Sequence, residues 1–159
     1  MATIRRKFLA GGLVCYIDTT GQHGLVCDTT DLGGDSVVWN NLNDTLISTS
    51  TDIGTGYTNT QNLIAYYGND SISAPALCIN YRGGGFSDWF LPSKDELNQI
   101  YLNLYSRGFG NLSPTGIYWS SSEYIYNGAY YAWSQYFNNG YQYYFSQGLY
   151  LKVRAVRAF

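Results

Sequence analysis

The sequence predicts one α+β domain. Three observations carry this: two β-rich runs near the N-terminus written as a hairpin, helical periodicity in the middle of the chain, and a final third of short β-rich runs separated by turns. The length of 159 residues, 17.8 kDa, fits a single domain and lets roughly two-thirds of the unfolded chain's surface be buried. No internal repeat is visible.

Gly12-Leu-Val-Cys-Tyr-Ile17 and Gly24-Leu-Val-Cys27 flank the turn-rich Thr19-Thr-Gly-Gln-His-Gly24. If Ile17 faces Leu25, then Cys15 faces Cys27 on the same side. Asp28 to Asn43 reads as loop with an embedded Val37-Val38-Trp39. Helical spacing of Leu63, Ile64 and Tyr67, stopped by Gly68, predicts a first helix over Thr60–Tyr67. Ala76-Leu-Cys-Ile79 reads either as its continuation or as a buried strand, and Gly83-Gly-Gly85 as a sharp loop. Ser93 with Glu96 forms a capping box behind Pro92, and Leu97, Ile100, Tyr101 and Leu104 share one face, so a second helix is expected over Lys94–Tyr105. Ile117–Ser120, Ala129–Phe137, Tyr141–Phe145 and Val153–Val156 then read as strands, with turns such as Asn138-Asn139-Gly140 between them. The last strand is expected beside the N-terminal hairpin.

Apolar residues make up 45% and charged residues 13%, with a net charge of -2. This excludes a disordered chain and a basic nucleic-acid surface, so no nucleic-acid partner is expected. No apolar run approaches the roughly 20 residues of a membrane-spanning helix, so membrane insertion is not expected either. Arg5-Arg6-Lys7 before Phe8-Leu9-Ala10 imitates a signal peptide, but the run continues without a small-residue cleavage site into a strand, and it is read as no signal. Residues 1–8 are expected to be an extension or linker and 9–159 the domain.

Familiar chemistry finds little purchase. Cys15, Cys27 and Cys78 lack metal-ligand spacing and read as buried thiols, with a Cys15–Cys27 bridge as the alternative. His23, the one histidine, lies in a hairpin turn, a poor place for a nucleophile system. Gly83-Gly-Gly85 lacks the pattern of a phosphate-binding loop, and Asp28, Asp31 and Asp35 lack calcium-loop spacing. Arg154 and Arg157 lie three apart on a strand, face opposite sides and read as structural ion-pair partners. No catalytic residue, metal or cofactor is expected.

Tyr124 to Leu151 differs in kind. No charged residue occurs between Glu123 and Lys152, while tyrosines crowd in with Asn, Ser and Gly. That composition suits a paratope: Tyr offers large contact area for few lost rotors, and Ser, Gly and Asn adapt their hydrogen bonds. A core cannot satisfy so many phenols, since each unpaired buried hydroxyl costs about 1–3 kcal/mol. An aromatic-rich sandwich core is the competing reading.

These residues also carry a resemblance. Gly11-Gly-Leu-Val-Cys-Tyr-Ile-Asp18 with Gly21-Gln-His-Gly-Leu-Val26, Gly83-Gly-Gly-Phe-Ser-Asp-Trp-Phe-Leu-Pro-Ser-Lys-Asp-Glu-Leu97, Tyr118-Trp-Ser-Ser-Ser-Glu123 and Val153-Arg-Ala-Val-Arg157 resemble the Lcl C-terminal domain family, named for a collagen-like bacterial adhesin. The resemblance spans Leu9 to Phe159 and implies a C-type lectin fold: two helices and a mixed, largely antiparallel sheet under a loop-rich ligand face. The ending Val-Arg-Ala-Val-Arg-Ala-Phe is similar to that of the variable proteins of diversity-generating retroelements, in which template adenines are randomised. From Tyr124 to Leu151, only Trp133, Gln135, Gln142 and Gln147 lie outside the set that such changes reach from an Asn codon.

By position, the resemblance assigns Trp119, Ser120 to Ser122, Glu123, Trp133, Arg154 and Arg157 to an invariant framework, within a variable region of about 118–159. It assigns Tyr124, Ile125, Tyr126, Asn127, Tyr130, Tyr131, Ser134, Tyr136, Tyr141, Tyr143, Tyr144, Phe145, Ser146, Leu149 and Tyr150 to diversified, ligand-contacting positions. Trp119 and Trp133 should then be mostly buried, and most of Tyr124, Tyr126, Tyr130, Tyr136, Tyr143 and Tyr144 exposed on one face. The calcium-dependent sugar triplets of true lectins do not occur. The function implied is non-catalytic binding of a protein or glycan receptor on a cell surface, displayed on a phage tail or bacterial surface, with room for a homo-oligomer such as a trimer. The competing roles are a structural oligomerisation module and an enzyme like the formylglycine-generating enzymes. That enzyme chemistry requires a cysteine pair in the C-terminal part, which the chain lacks after Cys78.

Overall fold

Backbone contact at two glycines sets the N-terminal hairpin. A side chain at Gly12 would strike the Cys27 carbonyl, and one at Gly24 would strike the Tyr16 carbonyl and the Phe159 ring. In the computed structural model, which describes residues 8–40 and 45–159, β1 (Phe8–Leu9) pairs with β2 (Gly12–Ile17), and β2 with β3 (Gly24–Cys27). The expected register is one residue out: Ile17 lies opposite Gly24, Tyr16 opposite Leu25 and Leu13 opposite Cys27, with a bulge around Cys15. A bulge re-aims one side chain without flipping the rest of the strand. Cys15 and Cys27 are both fully buried, and all three cysteines are free thiols, so the bridge does not form. Arg5, Arg6 and Lys7 lie outside the described residues.

The stretch read as loop after Asp28 contains a strand, β4 (Leu32–Val38). It edges a five-stranded sheet whose other members are β5 (Ile117–Tyr126), β6 (Ala129–Tyr136), β7 (Gln142–Ser146) and β8 (Tyr150–Val153), in the order β4-β8-β5-β6-β7. Only the β5/β8 pair is parallel. β5 runs past the expected Ser120 to a tight turn at Asn127-Gly128, where φ is 50° and 77°, as a two-residue hairpin loop of this hand requires.

The expected last strand over Val153–Val156 is two strands. β8 ends at Val153, and β9 (Val156–Ala158) joins the other sheet against β3, giving the order β1-β2-β3-β9. Arg154 and Ala155 make the crossing. The Arg154 side chain is 1% exposed and its guanidinium donates to the carbonyls of Asp28, Gly110 and Asn111 and to the Asp31 carboxylate, so the chain is held at the point where it leaves one sheet for the other. Arg157 pairs with Asp88. Both arginines are thus the structural ion-pair partners the spacing predicted.

Among the described residues there are three α-helices where two were expected: α1 (Gly56–Tyr67), α2 (Ala74–Asn80) and α3 (Lys94–Asn103). α1 begins a turn before Thr60. Gly56 fits there because any side chain would meet the Glu96 carboxylate and the Leu91 carbonyl. α2 settles the open reading of Ala76–Ile79: it is a separate helix, opened by Pro75 in its first turn. α3 starts at Lys94 with both halves of the capping box formed, then tightens into a 3-10 turn over Tyr105–Arg107 before Gly108 (φ 77°) ends it.

One core cluster gathers Trp39, Leu63, Trp89, Leu91, Trp119 and Val153 between the sheets and α1 and α2. A second gathers Leu97, Ile100 and Leu104 of α3 with Phe90, Tyr118 and Phe137. Two buried indoles tie β4 to β5 reciprocally, Trp39 Nε1 donating to the Ser120 carbonyl at 2.7 Å and Trp119 Nε1 to that of Val37 at 2.8 Å. Trp119 is buried as expected.

Candidate functional site

The Ser120-Ser121-Ser122 block is a bulge in which β5 leaves β6, since the β5/β6 pairing is interrupted between Trp119 and Glu123. The small side chains fit under neighbouring loops: Ser121 N–H donates to the Pro92 carbonyl, Ser122 Oγ to that of Ser50, and Ser120 Oγ to that of Trp133. Glu123 follows, its carboxylate accepting the Ile47 N–H and the Gln147 amide, while Asn40 donates to the same Gln147. Burial pushes the Glu123 carboxyl above the usual range, opposed by those two hydrogen bonds. Beyond this anchored base, β5, β6 and β7 project as a three-stranded ribbon.

Strand alternation sorts the positions expected to contact a ligand into two faces. Tyr124 lies opposite Tyr131, and Trp133 opposite Tyr144, which puts these four and Tyr126 on one side. Their rings form a continuous cluster: Tyr124 to Tyr144 at 4.5 Å, Tyr124 to Trp133 at 5.1 Å, Tyr131 to Tyr144 at 5.1 Å and Tyr126 to Tyr144 at 6.2 Å between centroids. Ile125, Tyr130, Tyr136, Phe145 and Ser134 belong to the other side. There Tyr136 meets Phe145, and Tyr141 and Tyr143 extend the cluster along the edge. The Tyr143 ring also stacks on Tyr144, at 4.6 Å and 13°, joining the two sets at β7. The single-face arrangement expected from sequence is therefore a two-sided one wrapped around an edge strand.

Exposure corrects several assignments. Tyr126, Tyr141, Tyr143, Tyr150, Ile125, Asn127, Ser146 and Leu149 are exposed, Tyr150 most of all at 65%. Tyr124, Tyr131, Tyr136, Tyr144 and Phe145 are half-buried, largely against one another, and Tyr130 is half-buried too, so of the six tyrosines expected to be open only Tyr126, at 50%, and Tyr143, at 40%, are exposed. Ser134 is buried at 1%, beneath the ribbon, and cannot touch a ligand. Trp133 is only half-buried: it lies in the aromatic cluster rather than the core, on the face of β6 where α3 brings Asn98 to Gln135 and Lys94 over the indole.

The α3 start supplies a residue that sequence reasoning missed. Lys94 Nζ sits 4.0 Å over the Trp133 ring, a cation–π contact. No ion pair to Lys94 occurs among the described residues. A single lysine beside a capping serine carries no signal of this kind; only the packing of α3 on β6 reveals it.

The four residues outside the set reached from an Asn codon all hold the ribbon to its base. Gln135 is fully buried and donates to Asn98 of α3 and to the Gly140 carbonyl; Gln142 donates to the Lys94 carbonyl. Gln147, fully buried, bridges Glu123 and the Tyr131 carbonyl, and Trp133 carries Lys94.

Elsewhere, His23 lines a cleft of about 240 Å³ with Tyr16, Asp18, Leu25 and Phe159, a lining without a Ser, Thr or Cys nucleophile. Asp31 and Asp35 are engaged by Arg154 and Lys152. Among the described residues no group of three or more His, Cys, Asp or Glu could hold a metal ion. None of the helices described is long and apolar enough to cross a membrane.

Comparison with known families finds a match to the model described as the Lcl C-terminal domain over residues 29–157. No curated protein matches the chain.

Proposed function

The chain belongs to the Lcl C-terminal domain family, and on that premise we propose that it is a non-catalytic receptor-binding domain of C-type lectin fold whose β5–β7 ribbon is a diversified, tyrosine-rich recognition surface. Its partner is a protein or glycan on a cell surface, met from a phage tail or a bacterial envelope. The observation that carries the reading is the division of labour within Tyr124 to Leu151. The residues outside the set reached from an Asn codon (Trp133, Gln135, Gln142, Gln147) make bonds that fix the ribbon, and residues within it provide its exposed rings. A surface built to vary requires this separation, since exposed substitutions change stability by about 0.5 kcal/mol or less. Exposed rings that are pre-stacked also lose little freedom on binding.

Adsorption of the labelled domain to a panel of bacterial cells tests it, with the Tyr126→Ser/Tyr143→Ser double variant alongside. Binding that the double variant loses, with an unchanged melting curve, is the expected result. Equal binding by both proteins, or a stable oligomer that buries these tyrosines in solution, overturns it.

A further inference from the structure

The open edge of the ribbon is the feature of this molecule that its own packing leaves unfinished. Among the described residues β7 is the last strand of its sheet and pairs only with β6. At the hairpin end, the Tyr136 N–H donates to the Tyr141 carbonyl, and from there hydrogen-bonded pairs alternate: Ser134 with Tyr143, Ala132 with Phe145. The intervening residues, Gln142, Tyr144 and Ser146, turn their backbone groups away from the sheet. The Ser146 carbonyl is taken by Leu149 N–H in the following turn. The N–H and C=O of Gln142 and Tyr144, and the N–H of Ser146, remain as a row of outward donors and acceptors.

Natural sheets blunt such edges with charges, prolines, bulges or short strands. The other described edges here follow that rule. β4 carries Gly33 and Gly34 at φ 69° and 74°, an interrupted register and the Asp35–Lys152 pair; β1 has two residues; β9 is bridged on its outer side by Phe90. β7, Gln-Tyr-Tyr-Phe-Ser, has no charge, proline or bulge. What lies near its edge is the Tyr143 ring, stacked on that of Tyr144.

We propose that β7 accepts an extended segment of a protein partner as a sixth strand, and that this segment carries an acidic side chain that pairs with Lys94. Charge complementarity selects the acidic strand. Lys94 is the cation of this face, its ammonium held over Trp133 without an ion pair among the described residues, and its carbonyl is bonded to the side chain of Gln142 at the start of β7. Strand addition suits a varying surface physically: main-chain hydrogen bonds supply affinity that no side-chain change short of proline removes, and alternate side chains supply selectivity. The inference rests on the receptor-binding reading and narrows its partner to a polypeptide.

The probe is a displayed library of random linear peptides of roughly ten residues, panned on the intact domain, the length that spans such an edge. Enrichment of peptides with alternating β-branched residues and a recurrent Asp or Glu is expected. Tyr144→Pro removes one outward N–H and leaves the β6 ladder intact; it should weaken those peptides about tenfold relative to Tyr144→Ser, which removes only the ring. Lys94→Met should cost about tenfold or more, and the loss should vanish for peptides whose acid is replaced by its amide. Hydrogen exchange supplies a readout independent of the variants' folding. On peptide binding, the amides of Gln142, Tyr144 and Ser146 should slow while those of Tyr143 and Phe145, already in the ladder, change little. Peptides that bind Tyr144→Pro as well as Tyr144→Ser, or that leave those three amides unprotected, overturn the proposal. If such peptides still depend on Tyr126 and Tyr143, the receptor-binding reading stands without the added strand. A library that yields no binder contradicts the strand addition alone, because cell adsorption tests the broader reading separately.

Discussion

Arg154 carries more structure than any other side chain of the C-terminal segment. Its five hydrogen bonds are made in near-complete burial, so removing it takes a donor from three carbonyls at once and leaves the Asp31 carboxylate with Lys152 and the Tyr118 hydroxyl. Arg154→Met should cost about 3–5 kcal/mol in chemical denaturation. Trp119→Ala should cost a similar ~3–5 kcal/mol, while Tyr126→Ser and Tyr143→Ser should stay within ~0.5 kcal/mol. The half-buried Tyr136 and Tyr144 fall between these extremes, because each loses ring contacts inside the ribbon. The cysteines give a chemical check. Burial pushes the Cys27 thiol up to about 12 and those of Cys15 and Cys78 upward as well. Native protein at pH 8 should resist iodoacetamide, and denatured protein without reductant should take up label at all three positions. Uptake at Cys78 alone would mean a Cys15–Cys27 bridge. The sequence left that choice open because thiol proximity depends on a bulge, and a bulge leaves no mark in hydrophobic alternation.

Elements whose signals are local were the legible ones. The capping box of α3 forms as read, with Ser93 Oγ accepting the Glu96 N–H and the Glu96 carboxylate accepting the Ser93 N–H at 2.7 Å. Ser93→Ala should cost about 1–2 kcal/mol by thermal denaturation, the upper end because the same hydroxyl also donates to the Asp52 carbonyl across the fold. α2 was not legible as a helix, since seven residues that are apolar almost throughout have no period to read; burial of Ala74, Pro75, Ala76 and Cys78 against its neighbours decides it. The ribbon shows both limits. Its strands could be placed from turn residues, but which face of β6 meets α3 depends on docking between distant elements. That is why Trp133 was expected in the core, Ser134 on the surface, and Lys94 not at all.

At the scale of the whole molecule, the chain passes between the two sheets twice, at residues 28–31 and 154–155. Of the framework residues named from sequence, Trp119, the three serines, Glu123 and Arg154 lie where sheets, helices and loops meet, whereas Trp133 sits in the ribbon's aromatic cluster and Arg157 on β9. Their residue types were readable; the sheet exchange was not, because Val153 to Val156 has the same apolar alternation whether it is one strand or two. Acid stability should follow the carboxylates. Burial holds Glu96 and Glu123 above the ordinary range, so the folded state binds these protons more tightly, and stability should hold or rise as pH falls from 7 through their titration. The Arg157 guanidinium holds Asp88 below the ordinary range, so the stability of that pair is lost as pH falls beneath about 4. A melting temperature that declined steadily from pH 7 downward would contradict this assignment. The most direct test of the central claim, a stable frame bearing an interchangeable surface, is a library that randomises Ile125, Tyr126, Tyr141, Tyr143 and Tyr150 together, sorted by resistance to protease. Most members should fold as stably as the parent while their binding to any one partner diverges. A library in which most members unfold would place these side chains in the structural core and end the account.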